Sequence, residues 1–395
     1  MEKRILMTEK IYYIDTKQTQ FTSTVTACEF DEKKKVYKVC LKASAFFPEE
    51  GGQLADIGIL DGQTVLDVHI KNDILYHYVE KEIPVGKEVF GQIDWNRRFD
   101  FMQQHSGEHI LSGLLHSTYG FTNVGFHLGL TEVTLDVDGA IGIDALREIE
   151  KKANEVIWKN IPILCSFPDR ETLAMMSYRS KIEIEGDIRI VEIPGVDLCA
   201  CCAPHVDSTG QIGMIKILDA MPHRGGTRIT IACGGRALSD YTTKQTIVKQ
   251  SMGLLSAKES AVIDATAKLF DDINKWKTLA NTLTAELLTE KCHMLATPDE
   301  SQNAYLFVSL NNTVAIRNTI NELTDAYVGY CGIFAGNDET GYTYIIGSKT
   351  LDCRTIGSHL RDTLNAKGGG SNAMIQGNIT ATRQAIETQL STFTI

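Results

Sequence analysis

From residue 1 to about residue 95, apolar and polar positions alternate in short runs rich in β-branched and aromatic side chains. Residues 10–14, 20–28, 35–41, 65–70, 74–79 and 88–93 have the period of strands, with turn chemistry at Asp61-Gly62 and Lys71-Asn72-Asp73. Many short strands at close spacing predict a small β-barrel. At Trp95 the period lengthens, and residues 96 to about 119 read as a helix with Ile110, Leu111, Leu114 and Leu115 at helical spacing. A strand at 133–137, a helix at 143–160, a strand at 163–167 and a short helix at 170–176 follow. Further strands are expected at 182–184, 188–193, 210–218 and 227–233. Residues 237–291 hold no proline and one glycine, Gly253, with apolar residues at helical spacing throughout, so they read as a helical arm or hairpin. Beyond Thr297-Pro298 the pattern alternates again. It gives a strand at 306–310, a helix at 312–325, a strand pair at 328–335 and 342–348, and a helix at 356–364. A glycine run at 367–372 and a last helix at 380–390 end the series.

The fold class expected is therefore α+β and multidomain. Its parts are a barrel over 1–95, an α/β domain over 96–236, the arm over 237–297 and a small α/β domain over 298–395.

Composition narrows the function classes. The chain has 395 residues, 43% of them hydrophobic and 23% charged, which is an ordinary globular mixture. No apolar run reaches transmembrane length and the first residues lack a signal-peptide core, so no membrane partner and a cytoplasmic location are expected. Ten cysteines suit that compartment, and three of them are clustered in a way that favours a metal over disulfides. The formal net charge of −11 argues against non-specific grip along a nucleic-acid duplex and leaves room for a local basic patch.

The chemistry gathers at two stretches. His105 and His109 are four apart on the expected helix, so both imidazoles share a face. Two histidines do not hold a metal alone. The loop Leu198-Cys199-Ala200-Cys201-Cys202-Ala203-Pro204-His205 offers thiolates and another imidazole, with Cys201 and His205 repeating the spacing of four. His105, His109, Cys201 and His205 together make a donor set that suits Zn²⁺. Four protein ligands suggest a structural site, and a catalytic one needs a replaceable ligand or an expanded coordination. His105-Ser106-Gly107-Glu108-His109 also fits the H-x-x-E-H pattern of inverted zinc peptidases, in which Glu108 would be the base. Upstream, Pro48-Glu49-Glu50-Gly51-Gly52-Gln53 is either a hairpin turn or a place where backbone approaches a ligand. The run Gly368-Gly369-Gly370 beside Lys367 is either a turn or an anion cradle.

The order of these parts resembles the stand-alone alanyl-tRNA editing proteins (AlaX type, long form) and the editing and C-terminal portions of alanyl-tRNA synthetase. The resemblance rests on the two half-sites, the Glu50–Gln53 turn, Thr209-Gly210-Gln211-Ile212-Gly213, Gly225-Gly226-Thr227-Arg228 and the last glycine run. It implies a zinc-dependent hydrolase that removes serine or glycine from mischarged alanine tRNA. The implied ligands are His105, His109, Cys201 and His205. Gly51, Gly52 and Gln53 would line the aminoacyl pocket, with Ser44 at the family's upstream threonine position. Gly368, Gly369, Gly370 and Lys367, in a DHH-associated domain, would touch tRNA. Two departures stand out: Glu50 replaces the first glycine of the usual triplet, and Ser44 lacks the threonine methyl. The arm or the last domain would make a homodimer. A non-catalytic tRNA-binding module with a structural zinc is the remaining reading.

Overall fold

A computed structural model of the chain describes residues 7–180, 187–295 and 303–393. The expected strand at 182–184 and the linker at Thr297-Pro298 lie outside the described residues. The chain is of the mixed α+β class and divides into two compact units, residues 1–247 and 248–395.

In the first unit the barrel forms. Its sheet runs in the order Gln63–Val65, Gly58–Leu60, Glu88–Ile93, Gln20–Asp31, Val36–Leu41, Ile74–Val79, Asp67–Lys71, with every neighbouring pair antiparallel. The 12-residue strand Gln20–Asp31 serves both halves. Its start pairs with Glu88–Ile93 and its end with Val36–Leu41, with a register shift between Val25 and Ala27. An irregularity of this kind bends a strand and increases its twist, which lets one sheet curl almost closed. Phe21, Val39, Phe46, Leu60, Val68 and Leu75 fill the interior.

The expected strand at 10–14 is corrected. Glu9–Lys10 pairs parallel with Ala43–Ser44, and Ile11–Ile14 makes a single helical turn. Ile-Tyr-Tyr-Ile has no polar position to alternate with, and the turn buries Tyr12 while leaving Ile14 exposed. The stretch 65–70 is divided between two strands, Gln63–Val65 and Asp67–Lys71.

The next layer is built on the helix Trp95–Tyr119. Asp94 caps its start by accepting from the Arg97 N–H, and Gly120 in the left-handed region ends it. Every residue from 104 to 113 is buried, so this part of the helix runs through the interior instead of along the surface. Two glycines make that passage feasible. A Cβ at Gly107 would lie 2.3 Å from the Cys233 Sγ, and one at Gly113 would lie 2.4 Å from the Val196 carbonyl oxygen. A four-stranded antiparallel sheet, Asn123–Leu128, Val133–Val137, Gly226–Cys233, Ile215–His223, shares one core with this helix and with Ile143–Trp158. A smaller sheet joins Leu164–Ser166, Ile190–Ile193 and Asp197–Ala200.

Two departures from the pattern are local. The strand Asn123–Leu128 carries Gly125 and little apolar alternation, and no strand was expected there. The strand expected at 210–218 starts late, because Thr209–Ile212 forms a 3₁₀ turn. The buried Thr209 hydroxyl donates to the Val156 carbonyl at 2.9 Å, and Gly213 turns the chain at φ 84° before Ile215–His223 begins.

The second unit holds a five-stranded sheet ordered Ala304–Val308, Cys331–Asn337, Gly341–Gly347, Met374–Ile379, Lys367–Gly370. The first pair is parallel and the rest are antiparallel. Thr313–Ala326 and Leu288 of Val262–His293 cover one face; Cys353–Leu364 and Arg383–Thr392 cover the other. The helical arm is not continuous. Gly234–Leu255 ends where Ser256 takes a left-handed φ of 49° and the Ala257 N–H donates back to the Met252 carbonyl. This is a Schellman ending with serine where glycine is usual, a signal that a search for Gly and Pro passes over. The glycine run is corrected from a turn to the edge strand Lys367–Gly370.

A buried ion pair ties the barrel to the central helix. Arg98 and Asp56 are both fully buried; Arg98 Nη2 bonds Asp56 and donates to the Ala45 carbonyl at 2.6 Å, and Arg98 Nη1 donates to the Thr16 carbonyl at 2.9 Å. Removing one member leaves the other charge buried and alone. Arg98→Met is expected to lower stability by about 3–5 kcal/mol in urea unfolding.

His77 is fully buried, its Nδ1–H donating to the Val39 carbonyl at 3.0 Å and its Nε2 paired with the Ser44 hydroxyl at 2.7 Å. Burial pushes its pKa down to about 4, against the Val39 hydrogen bond, which raises it. The unfolded imidazole titrates near about 6.5, so between the two values the unfolded chain holds a proton that the folded chain does not. The stability that neutral His77 contributes is complete above about pH 6.5 and declines as pH falls toward 4. The slope of urea stability against pH in that window is expected to be shallower in His77→Gln than in the wild type.

Candidate metal centre

His105 and His109 stand one turn apart on the central helix, and their ring centroids are 5.5 Å apart. His205, in the segment after Asp197–Ala200, places its ring 5.0 Å from His105 and 4.8 Å from His109. Cys201 closes the group, with Sγ 3.5 Å from His105 Nε2 and 3.4 Å from His205 Nε2. Ligand atoms of all four residues lie within 4.8 Å of one another. A tetrahedral ion with metal–nitrogen bonds of about 2.0 Å and a metal–sulfur bond of about 2.3 Å spaces its ligand atoms about 3.5 Å apart. The four residues fit such an ion without rearrangement of the backbone.

Each imidazole is held from behind. His109 Nδ1–H donates to Asp197 Oδ2 at 2.8 Å, and Arg179 grips the same carboxylate through Nε at 2.7 Å and Nη2 at 2.8 Å. His105 Nδ1–H donates to Gln53 Oε1 at 3.0 Å. His205 Nδ1 shares a hydrogen bond of 3.0 Å with the Ser106 hydroxyl. With the Nδ1 side engaged in every ring, the Nε2 side is the one left for a metal.

The groups of the cluster set one another's charge. Burial opposes ionisation of Cys201, but the imidazoles of His105 and His205 and hydrogen bonds from His105 and His109 outweigh it, holding the thiol well below its ordinary pKa. Burial likewise works against protonation of His109, and its bonds to Asp197 and Cys201 reverse the balance, so its pKa is raised. Burial prevails at His205 and pushes it down to about 3. Cys202 behaves oppositely to its neighbour, because burial and the anionic Cys201 and Glu50 raise it. One thiolate and three imidazoles in a buried group are ligands that a divalent cation neutralises and holds.

His105, His109 and Cys201 of the cluster line a cavity of about 1060 Å³. Gly51 and Gly52 line its wall with φ values of 62° and 82°; a Cβ at Gly52 would lie 2.5 Å from the Phe126 carbonyl oxygen, so the turn can sit that close only as glycine. Gln53 is fully buried behind His105, and its Nε2 has no hydrogen-bond partner among the described residues. Ser44 is not brought to this cavity: its hydroxyl is engaged by His77 and by the Phe46 N–H at 3.2 Å. Glu108 also lines the cavity, with Oε1 accepting from Ser112 Oγ at 2.5 Å and from Asn123 Nδ2. Lys367, Gly368, Gly369 and Gly370 belong to the other unit, all exposed on its edge strand. Asp197, Arg179, Ser106 and Asn123 were not singled out in the sequence, where nothing in their spacing marks them.

The family model described as "Threonyl and Alanyl tRNA synthetase second additional domain" matches residues 188–230, which include Cys201 and His205. The alanyl-tRNA editing protein Aarsd1 of Danio rerio is 28% identical over 356 residues, covering 88% of this chain and 85% of its own. The alanyl-tRNA editing protein AlaX-L of Pyrococcus horikoshii is 26% identical over 400 residues, 96% of each chain. An alanine–tRNA ligase of Methanobrevibacter smithii is 28% identical over 306 residues, covering 73% of this chain and 34% of that protein. The resemblance read from the motifs thus extends over most of the chain.

Co²⁺ reports the centre directly. The wild type is expected to show sulfur-to-cobalt charge transfer that is absent in Cys201→Ser. Asp197→Asn is expected to keep the band and weaken Co²⁺ affinity about 10- to 100-fold in a chelator competition, because the carboxylate holds the His109 ring by its Nδ1 side.

Proposed function

We propose that the chain is an aminoacyl-tRNA deacylase that removes wrongly attached serine or glycine from alanine tRNA, with Zn²⁺ held by His105, His109, Cys201 and His205. The observation that carries this reading is the convergence of three imidazoles and a thiolate at a cavity walled by Gly51 and Gly52. The editing proteins similar to this chain over most of its length support it.

Bound zinc supplies a Lewis acid next to an ester that is already activated. The protein supplies position. Gly51 and Gly52 let the main chain pass close to the ester, and Gln53 fixes the His105 ring. Selectivity against alanine needs polar groups that serine satisfies and a methyl does not. Ser44 is already committed to His77, and the unpartnered Nε2 of Gln53, buried behind His105, is the group left to serve that discrimination.

The remaining assignments follow from the second unit. The exposed edge strand Lys367–Gly370 is read as a tRNA contact. Leu269, Ile273, Trp276 and Leu283 are exposed on Val262–His293 at spacings of three, four and seven, and this stripe is read as the homodimer surface. Among the described residues no helix is long and apolar enough to cross a membrane, and a cytoplasmic location is proposed.

The test is release of serine, glycine and alanine from the three charged forms of alanine tRNA by the zinc-loaded protein. Serine or glycine is expected to be released at least about a hundredfold faster than alanine, with His109→Ala and chelated enzyme reduced to background. Retention of all three amino acids by folded, zinc-loaded protein would remove this reading.

A further inference from the structure

The cavity continues outward from the metal centre along an aromatic wall. Phe167, 51% exposed, stands at the rim and packs edge-on against Tyr13, with centroids 5.4 Å apart and planes at 67°. Arg189 is 5% exposed, and its guanidinium lies 5.2 Å from the Tyr13 ring centre. Its Nη1 donates to the Cys201 carbonyl at 3.0 Å and to the Ala203 carbonyl at 2.8 Å. One arginine therefore links the aromatic wall to the segment that carries the thiolate, so the distance from Phe167 to the metal centre is fixed by packing.

The charge along this path is selective. The basic groups in the lining, Lys10, Lys71 and Arg189, are outnumbered by acidic ones such as Glu50 and Asp187, and Lys10 is paired with Asp73 at 2.9 Å. The lining therefore offers no continuous row of cations along which a phosphate backbone could thread the cavity. The end of a strand needs no such row. A single nucleoside brings one flat, neutral base, its phosphate stays at the rim, and an aminoacyl ester on its ribose brings a cationic amino group toward the acidic interior.

We propose that Phe167, braced by Tyr13 and Arg189, is the platform on which the terminal nucleobase of an aminoacylated RNA stacks, with the ester directed to the metal centre. Aromatic platforms take any base by its π-face, so this subsite fixes the position of the ester and leaves tRNA identity to other contacts. The inference rests on the deacylase reading for its substrate, and Phe167 acts in it as a positioning residue.

The experiment uses the full chain and alanine tRNA ending in 2-aminopurine, whose fluorescence is quenched on stacking. Quenching is expected on binding to the wild type and to His109→Ala, and loss of most of it in Phe167→Ala, with Phe167→Tyr restoring it. In serine release, Phe167→Ala is expected to raise KM about tenfold with kcat within about twofold. Phe167 is half-exposed, so its truncation leaves the core intact. Bound tRNA without quenching, or equal quenching in Phe167→Ala, would overturn the platform even where serine release is intact. Quenching with no release of any amino acid would keep the platform and overturn the deacylase. Absence of tRNA binding by the wild type would overturn both.

Discussion

The buried pair of Arg98 and Asp56 sets the geometry on which the centre depends. Arg98 holds Asp56 and the Ala45 carbonyl, while Arg97 donates through Nε and Nη2 to the Ala55 carbonyl. Asp56 in turn accepts from the Phe47 N–H at 2.7 Å. Two successive arginines at the start of one helix therefore clamp both ends of the segment that carries Gly51, Gly52 and Gln53. Farther along the same helix stand His105 and His109. The glycine turn and the His105/His109 pair are thus registered against a single rigid element, and the Gln53–His105 hydrogen bond is the result. Burying a full charge pair is seldom the most stable solution. Here it fixes the position of a loop that a purely apolar contact would hold less specifically.

The second half-site is registered by different means. Asp197 ends one bond network and begins another: it pairs with Ile193 in the small sheet, orients His109, and receives Arg179. Ser106 does the same for His205 from the helix side, and its hydroxyl also accepts from the Val206 N–H at 3.3 Å. Each half-site therefore supplies the support for the other. The four clustered residues were legible in the sequence because helical spacing and a repeated interval of four are local signals. Their supports were not legible, because Asp197 meets His109 and Ser106 meets His205 only after the chain has closed over nearly a hundred residues. The fold was legible to the same degree. Ile74–Val79, Glu88–Ile93 and Val133–Val137 form where alternation is clean, whereas Asn123–Leu128 depends on the backbone of Gly52 and Val133–Val137 for its pairing. Ser256 shows the converse case, a helix ending whose local geometry is regular but whose residue type carries no warning.

Glu108, the base of the inverted-peptidase reading, is bonded to its neighbours on the helix and the adjoining strand. A general base has to offer its carboxylate to a water beside the metal. Both the Ser112 hydroxyl and the Asn123 amide bind one oxygen of Glu108, joining the helix to the neighbouring strand. Those bonds occupy Oε1 and hold the buried carboxylate in position at the cavity. The motif reading also leaves unused the cysteine half-site and the glycine turn, which the observed cluster brings to the same cavity.

The glycine run in the second unit forms an edge strand where the sequence offered a turn or an anion cradle. Lys367–Gly370 pairs along one side with Met374–Ile379 and is the last strand of its sheet, so its other side is an open row of backbone groups. An open edge ordinarily invites another strand. Three successive glycines provide neither the β-branched side chains nor the cross-strand contacts that would stabilise such an addition. What they leave is main chain that a bulky anion can approach, with Lys367 adjacent. The edge is also held in place from within: Cβ atoms at Gly368 and Gly377 would lie 2.8 and 2.6 Å from the Tyr344 hydroxyl, so both positions are closed to larger residues. The sheet therefore excludes a side chain at Gly368 and at Gly370, where a Cβ would lie 2.3 Å from the Met374 carbonyl oxygen, while Gly369 faces open space.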